Sequence, residues 1–275
     1  MGDAAAVPRP RAGDRPALTT AAARWAAQLA EWAVPQFVLD AAPQAPYVFP
    51  ADMFAAPPPG TAPRSGSSAR AAEALPDGGS VLDVGCGGGA AAFALVPPAT
   101  AVIGTDRQAD MLRLFATTAA ERGVAARTVL GSWPDVASHV PVADVVVSHN
   151  VLYNVADLPA FAAALHEHAR RRVVVEITER HPQTARALLW QHFWGLERPA
   201  GPDAALAAEV LAEAGFPVTV ERSTATARDA ARAEPVETAF WCRQLCLPPE
   251  REPEVAALVR ELPFPTDRVT LWWDA

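Results

Sequence analysis

The sequence predicts a doubly wound α/β fold, and three observations predict it. From Gly79 onward, short apolar runs alternate with helix-like segments. Those runs are continuous rather than alternating, as strands buried on both faces require. The first of them, "SVLDVG", opens into a glycine turn and then into the alanine-rich "GGAAAFALV". Strands and helices in this order place a mostly parallel sheet between two helical layers.

Taken in order, residues 1–16 ("MGDAAAVPRPRAGDRP") are broken by proline and charge and are expected to be a disordered tail. They do not combine a basic start with an apolar core, so no targeting signal is read there. From Ala17 a helical spacing puts Trp25, Leu29 and Trp32 on one side, and Pro35 interrupts it. "APQAPYVFPADMFAAPPPGTAP" is too rich in proline for a helix or a central strand. Its aromatics Tyr47, Phe49 and Phe54 still need a surface to pack on. Residues 17–75 are therefore expected to form a helical amino-terminal cap or lid, laid over a domain at 76–275.

Within that domain "TAVIGTD" reads as a second strand, followed by the helix "RQADMLRLFATTAAERG", which stops at Gly123. "ARTVLGS" is a third strand and "ADVVVSHN" a fourth, with a helix over 157–169. "RRVVVEITE" is a fifth. "GPDAALAAEVLAEAGF" is helical, "PVTVERS" strand-like, 236–261 helical, and "DRVTLWWDA" a terminal strand.

Composition narrows the function classes. The 275 residues are 51% hydrophobic, enough for a sizeable core, and every basic residue is arginine. A formal charge of −8 argues against a surface built to neutralise phosphates, so nucleic acid is an unlikely partner. Cys86, Cys242 and Cys246 are too few for a disulfide framework and suit a reducing, cytoplasmic setting. No apolar run reaches the length of a membrane span, and no His, Cys or carboxylate set has metal-ligand spacing.

The turn "VLDVGCGGG" raises the question of its ligand. Gly85, Gly87 and Ala90 satisfy a dinucleotide fingerprint, so the glycines alone do not decide. Asp106 ends the second strand, where a carboxylate accepts bonds from both hydroxyls of a ribose in NAD or in S-adenosylmethionine alike. Asp83, two residues before Gly85, discriminates. An anion there repels a pyrophosphate and suits a ligand with a positive amino group.

On "VLDVGCGGG" followed by "VIGTDRQADML", the chain resembles class I S-adenosylmethionine-dependent methyltransferases. The resemblance covers roughly residues 65–275. It implies a Rossmann-like sheet of seven strands with an antiparallel last strand inserted beside the sixth. It implies further that Asp83, Gly85, Cys86 and Gly87 hold the methionyl part of the cofactor, and that Asp106 with Arg107 holds the ribose. Ser132 and Trp133 of "LGSWPD" fall where the family lines the adenine, although the usual acidic residue is missing there. His149 and Asn150 lie in its fourth motif. Arg70 is expected to reach the cofactor carboxylate, its alternative being a surface arginine. "HPQTARALLWQHFWGLERPAGP" and "CRQLCLPPERE" resemble a bacterial group of these enzymes.

A general base is needed only if the acceptor must lose a proton. His149, Tyr153 and His181, which follow strands four and five, are the catalytic candidates; each also has a structural alternative, as cofactor contact, core aromatic and helix start. Glu176, within strand five, is expected to pair with an arginine. The favoured reading is methyl transfer to a small molecule, at oxygen or carbon because "SHNVLYNV" lacks an N/D-P-P-Y/F sequence, with S-adenosylhomocysteine as product. An RNA or protein methyltransferase, a cofactor-binding partner without chemistry, and a nicotinamide oxidoreductase are the alternatives. The Trp-rich amino-terminal segment, with aromatics that look exposed, raises a homodimer.

Overall fold

The structure is a computed structural model and describes residues 20–46, 48, 51–60, 65–224, 234–260, 262 and 267–275. The expected tail at 1–16, Tyr47 and Phe49 lie outside the described residues.

Two short helices come first, α1 (Ala21–Ala30) and α2 (Gln36–Ala41), separated as Pro35 dictates. Thr20 caps α1 by accepting the Ala23 N–H. A 3-10 turn at Ala51–Phe54 precedes α3 (Gly66–Ala74), whose cap is Ser65. The alternation then runs β1 (Ser80–Val84), α4 (Ala90–Phe93), β2 (Ala101–Asp106), α5 (Ala109–Glu121), β3 (Ala125–Leu130), β4 (Ala143–His149), α6 (Leu158–Glu167) and β5 (Ala169–Thr178). It continues through α7 (Ala187–Trp194), α8 (Ala204–Glu213), β6 (Thr219–Thr224), α9 (Glu234–Gln244), α10 (Glu252–Val259) and β7 (Asp267–Asp274).

The strands form one seven-stranded sheet in the order β3-β2-β1-β4-β5-β7-β6. β1 to β5 pair in parallel, and β7 runs antiparallel between β5 and β6. This is the Rossmann-like order with the reversed last strand inserted. β1 pairs with β2 on one side and β4 on the other, so the order reverses at β1. Ligands in such sheets sit beyond the carboxyl ends of the strands at that reversal.

Two cores cover the two faces. Trp25, Phe161, Leu165, Val210 and Trp273 belong to the core that joins α1, α6 and α8 to the sheet. Phe93, Leu112, Phe115 and Val174 belong to the other, beneath α3, α4 and α5. A third cluster, with Val38, Trp190, Phe240 and Val255, ties α2 to α7, α9 and α10.

Two elements are shorter than the sequence suggests. The helix after the glycine turn is only Ala90–Phe93, because turns lead into Pro97 and Pro98. The helical stretch at 236–261 is two helices. Cys246 turns the chain between them with a φ of 58°, and Pro248 and Pro249 follow.

Candidate functional site

The glycine turn is built on hydrogen bonds between β1 and β2. Gly85 and Cys86 both donate their N–H to the Thr105 carbonyl at 2.9 Å. Gly85 has a φ of +72°, and a Cβ there would lie 2.4 Å from Val151 Cγ2. Only glycine lets the turn pass under the loop that follows β4. Gly87 donates to Asp106 Oδ2 at 3.0 Å and Gln108 to Oδ1 at 2.9 Å, so the second acid is aimed by the turn itself.

Asp83 is 1% exposed and accepts the Ala92 N–H at 3.1 Å. Burial pushes its carboxyl up to about 7; the Ala92 bond pulls the other way, and the charge of Asp106 adds to the rise. A buried acid with one backbone donor is suited to a ligand that brings a positive charge. The Cys86 side chain is largely buried at the edge of the cleft and packs against β2. Its Sγ lies where a Cβ on Gly104 would meet it at 2.9 Å, and burial raises the thiol.

These residues line a cleft of about 560 Å³ at the carboxyl ends of β1, β2, β4 and β5. Arg107, Ser132, Trp133, His149, Asn150 and Glu176 line it too. Trp133 is fixed by its indole N–H to the Phe161 carbonyl at 3.4 Å and by an edge contact with His168. The opposite wall comes from ahead of β1. Met53, Phe54 and Ala55 border the cleft, the Gly88 N–H donates to the Phe54 carbonyl at 3.2 Å, and Ala55 bridges Gly88 and Gly89.

His149 ends β4, and its Nε2 is buried without a hydrogen-bond partner. Burial lowers its pKa, and the charge of Glu176 opposes that. Asn150 adopts a φ of 59° and donates its N–H to the Glu176 carbonyl at 2.7 Å, which bends the chain across the end of β5. The Glu176 carboxylate accepts the hydroxyl of Ser67 rather than an arginine.

Three expected site residues sit elsewhere. Tyr153 donates its hydroxyl to the Thr178 carbonyl at 2.8 Å and stacks on Trp25; burial pushes its pKa above the ordinary range, and it does not line the cleft. His181 stacks on Trp32 at 3.9 Å and accepts the Gln183 N–H, which makes it a packed cap rather than a base. Arg70 points along α3 to Glu73 and to Glu221 on β6, paired at 2.9 Å with the latter, so it does not reach the cleft. The two tryptophans of α1 and its end are likewise packing residues. Trp32 donates to the Gly201 carbonyl at 2.6 Å, and Trp25 is fully buried.

Sequence reasoning missed Met53, Ala55, Asn154, Val155 and Phe161 as lining residues, and Ser67 as the partner of Glu176. No local pattern marks them, since their neighbours across the cleft are distant in the chain. Among the described residues, no group of three or more His, Cys, Asp or Glu could hold a metal, and no helix is long and apolar enough to cross a membrane.

Residues 81–172 match the family described as "Methyltransferase domain". No curated protein matches the chain. Among solved structures, the YcgJ protein of Bacillus subtilis is 14% identical, with 76% of this chain and 97% of that chain covered and a TM-score of 0.50. A putative methyltransferase of Bacillus halodurans is 16% identical, with 76% and 99% covered and a TM-score of 0.49. Magnesium protoporphyrin IX methyltransferase of Synechocystis, solved with bound SAH, is 17% identical, with 71% and 73% covered and a TM-score of 0.46. The matched segment runs from β1 into β5 and contains the glycine turn and both acids. Over residues 81–172 the chain thus resembles a methyltransferase domain, the enzyme class that the glycine turn and the two acids imply.

Proposed function

We propose that the protein methylates a small molecule at oxygen or carbon, in the cytoplasm, with 76–275 as the catalytic domain and 17–75 as its cover. One observation carries this reading. The cleft that begins at the glycine turn is bordered by apolar side chains of the chain itself, among them Phe54, Val151, Val155 and Phe161. That apolar lining suits a compact acceptor.

Asp83, Gly85, Gly87 and Asp106 would hold the cofactor, with Asp83 facing its ammonium and Asp106 its ribose hydroxyls. Arg107, Ser132, Trp133 and the His149–Asn150 backbone would complete the holding set, and Cys86 would contribute its backbone only. The bound cofactor supplies an electrophilic methyl group on a sulfonium. Phe54, Val151 and Phe161 exclude water, and the cleft walls orient the acceptor for in-line displacement. His149, whose pKa burial lowers, lines the cleft and would take a proton through its ring. "SHNVLYNV" offers no planar-amide site of the N/D-P-P-Y/F kind, which favours oxygen or carbon over an amino acceptor.

Calorimetric titration of S-adenosylmethionine, S-adenosylhomocysteine and NAD, with Asp106→Ala as control, tests the first half. Micromolar binding of the first two, lost in the variant, supports it; binding of NAD alone overturns it. Product formation from a panel of phenols, enols, amines and RNA tests the second half. Turnover of RNA with no turnover of small acceptors would sink the small-molecule reading.

A further inference from the structure

The end of β5 carries a carboxylate whose partner is unexpected. In the parallel register His149 lies opposite Glu176, so both side chains leave the same face of the sheet. Both residues line the cleft. The Glu176 carboxylate accepts from Ser67, which is fully buried. Ser67 in turn lies 2.7 Å, hydroxyl to hydroxyl, from Ser65, the residue that caps α3 through the Ser68 N–H at 3.2 Å. Glu176 thus sits at the amino-terminal end of a helix, where negative charge is favoured.

Two nearby arginines are engaged elsewhere. Arg70 pairs with Glu221 and Arg222 with Glu179. Glu176 lies beside its neighbour on β4 instead. The other ionisable groups on the cleft are Asp83, Cys86 and Asp106 from β1, its turn and β2, with Arg107 at the rim. Asp83 and Asp106 engage the backbone of Ala92, Gly87 and Gln108. Glu221 lies two strands beyond Glu176, across β7.

We propose that Glu176, clamped by Ser67, is the positioning residue that readies His149 to take a proton from the methyl acceptor, and that the acceptor is a hydroxyl or carbon acid that reacts only when deprotonated. This rests on the methyl-transfer reading above. In the step, the His149 ring accepts the proton of the acceptor O–H or C–H through the nitrogen that faces the cleft. The electron pair left on the acceptor forms the new bond to the methyl carbon. The carbon–sulfur bond breaks, and its pair stays on sulfur in the departing thioether. The imidazolium is balanced by Glu176 until the proton passes to solvent. An amine that is already neutral would not need this device.

The test follows the His149 ring by NMR with isotope-labelled histidine, titrated with S-adenosylhomocysteine bound, in the wild type, Glu176→Gln and Glu176→Asp. Glu176→Gln keeps the Ser67 bond and removes the charge. We expect the His149 midpoint to fall by on the order of one pH unit in the Gln variant. The Asp variant is expected to lie between the two, with S-adenosylhomocysteine affinity changed by less than about threefold throughout. An identical midpoint in wild type and Glu176→Gln overturns the proposal. If Glu176→Gln does not fold, an unchanged midpoint in Glu176→Asp overturns it equally. Failure of the wild type to bind S-adenosylhomocysteine would instead remove the methyl-transfer reading, which separates the two failures.

Discussion

Trp25 on α1 gives its indole N–H to the Val155 carbonyl at 2.7 Å, so a helix from the start of the chain holds the loop that follows β4. Val155 and its neighbour Asn154 line the cleft. The buried bond, more than the ring's apolar area, sets where that loop stands. Trp25→Phe keeps most of the packing and leaves the carbonyl unpaired. Expected losses are about 1–2 kcal/mol in chemical denaturation and a weaker S-adenosylmethionine affinity by calorimetry. Unchanged affinity in a variant that has lost stability would show that the loop does not depend on this tie.

Asp83 gives the cleft a pH response. Its carboxyl is raised by burial to about 7, against an ordinary value of 3.8. A raised acid favours the folded state most below its unfolded value, and that advantage disappears as pH rises through the folded value. Stability of the ligand-free protein should therefore fall between about pH 4 and pH 7, by about 4 kcal/mol at most. Asp83→Asn should flatten that limb in denaturation curves. A ligand ammonium favours the ionised acid, so S-adenosylmethionine binding near pH 7 should release a proton. Calorimetry in buffers of different ionisation enthalpy reads that release directly.

His181 acts in the opposite sense. Burial, and then the nearby charge of Arg198, lower it to about 4 from 6.5. A lowered base is stabilising when neutral, so stability is retained above about pH 6.5 and falls as the pH drops towards 4, by about 3 kcal/mol. His181→Phe preserves the stack on Trp32 and should flatten this acid limb. It also loses the cap on Gln183, a cost of about 1 kcal/mol at neutral pH. Cofactor affinity should be unaffected, because the ring lies outside the cleft. A large loss of binding in this variant would return His181 to the site.

Gly85→Ala tests the close approach of the turn to Val151. The added Cβ meets Val151 Cγ2 at 2.4 Å and must also accept a φ of +72°. We expect a loss on the order of 2–4 kcal/mol, from strain at the backbone and displacement of the loop after β4. Val151→Ala should recover only the steric part, since the left-handed backbone remains. Complete recovery in the double variant would show that the backbone carries no strain.

The strand–helix rhythm was legible because buried parallel strands write themselves as continuous apolar runs, and Asp83 with Gly85, Gly87 and Asp106 was legible because the turn is local in sequence. Contacts between distant segments were not. Arg70 sits in a suitable place along the chain, yet Glu221 from a strand far downstream claims its guanidinium. Tyr153 and His181 follow the right strands, but the loops that carry them fold inward against Trp25 and Trp32. Ser67 shows nothing in its own neighbourhood that marks it as a partner for Glu176. The break at Cys246 was hidden because a residue with a Cβ takes the left-handed turn that glycine usually signals.

Phe54 and Ala55 rest on the glycine turn from a stretch of chain that precedes β1. The floor of the cleft and one of its walls are therefore encoded separately. Residues 81–172, the segment that matches the methyltransferase-domain family, contain the floor; this wall lies outside that segment. Substitutions at Met53 or Phe54 can reshape the enclosure without disturbing Asp83 or Asp106, and a gene fragment beginning at β1 would yield a floor with one side open. Descent can thus change what enters the cleft while leaving its base untouched, and a designer seeking a new acceptor has the same freedom at the same two positions.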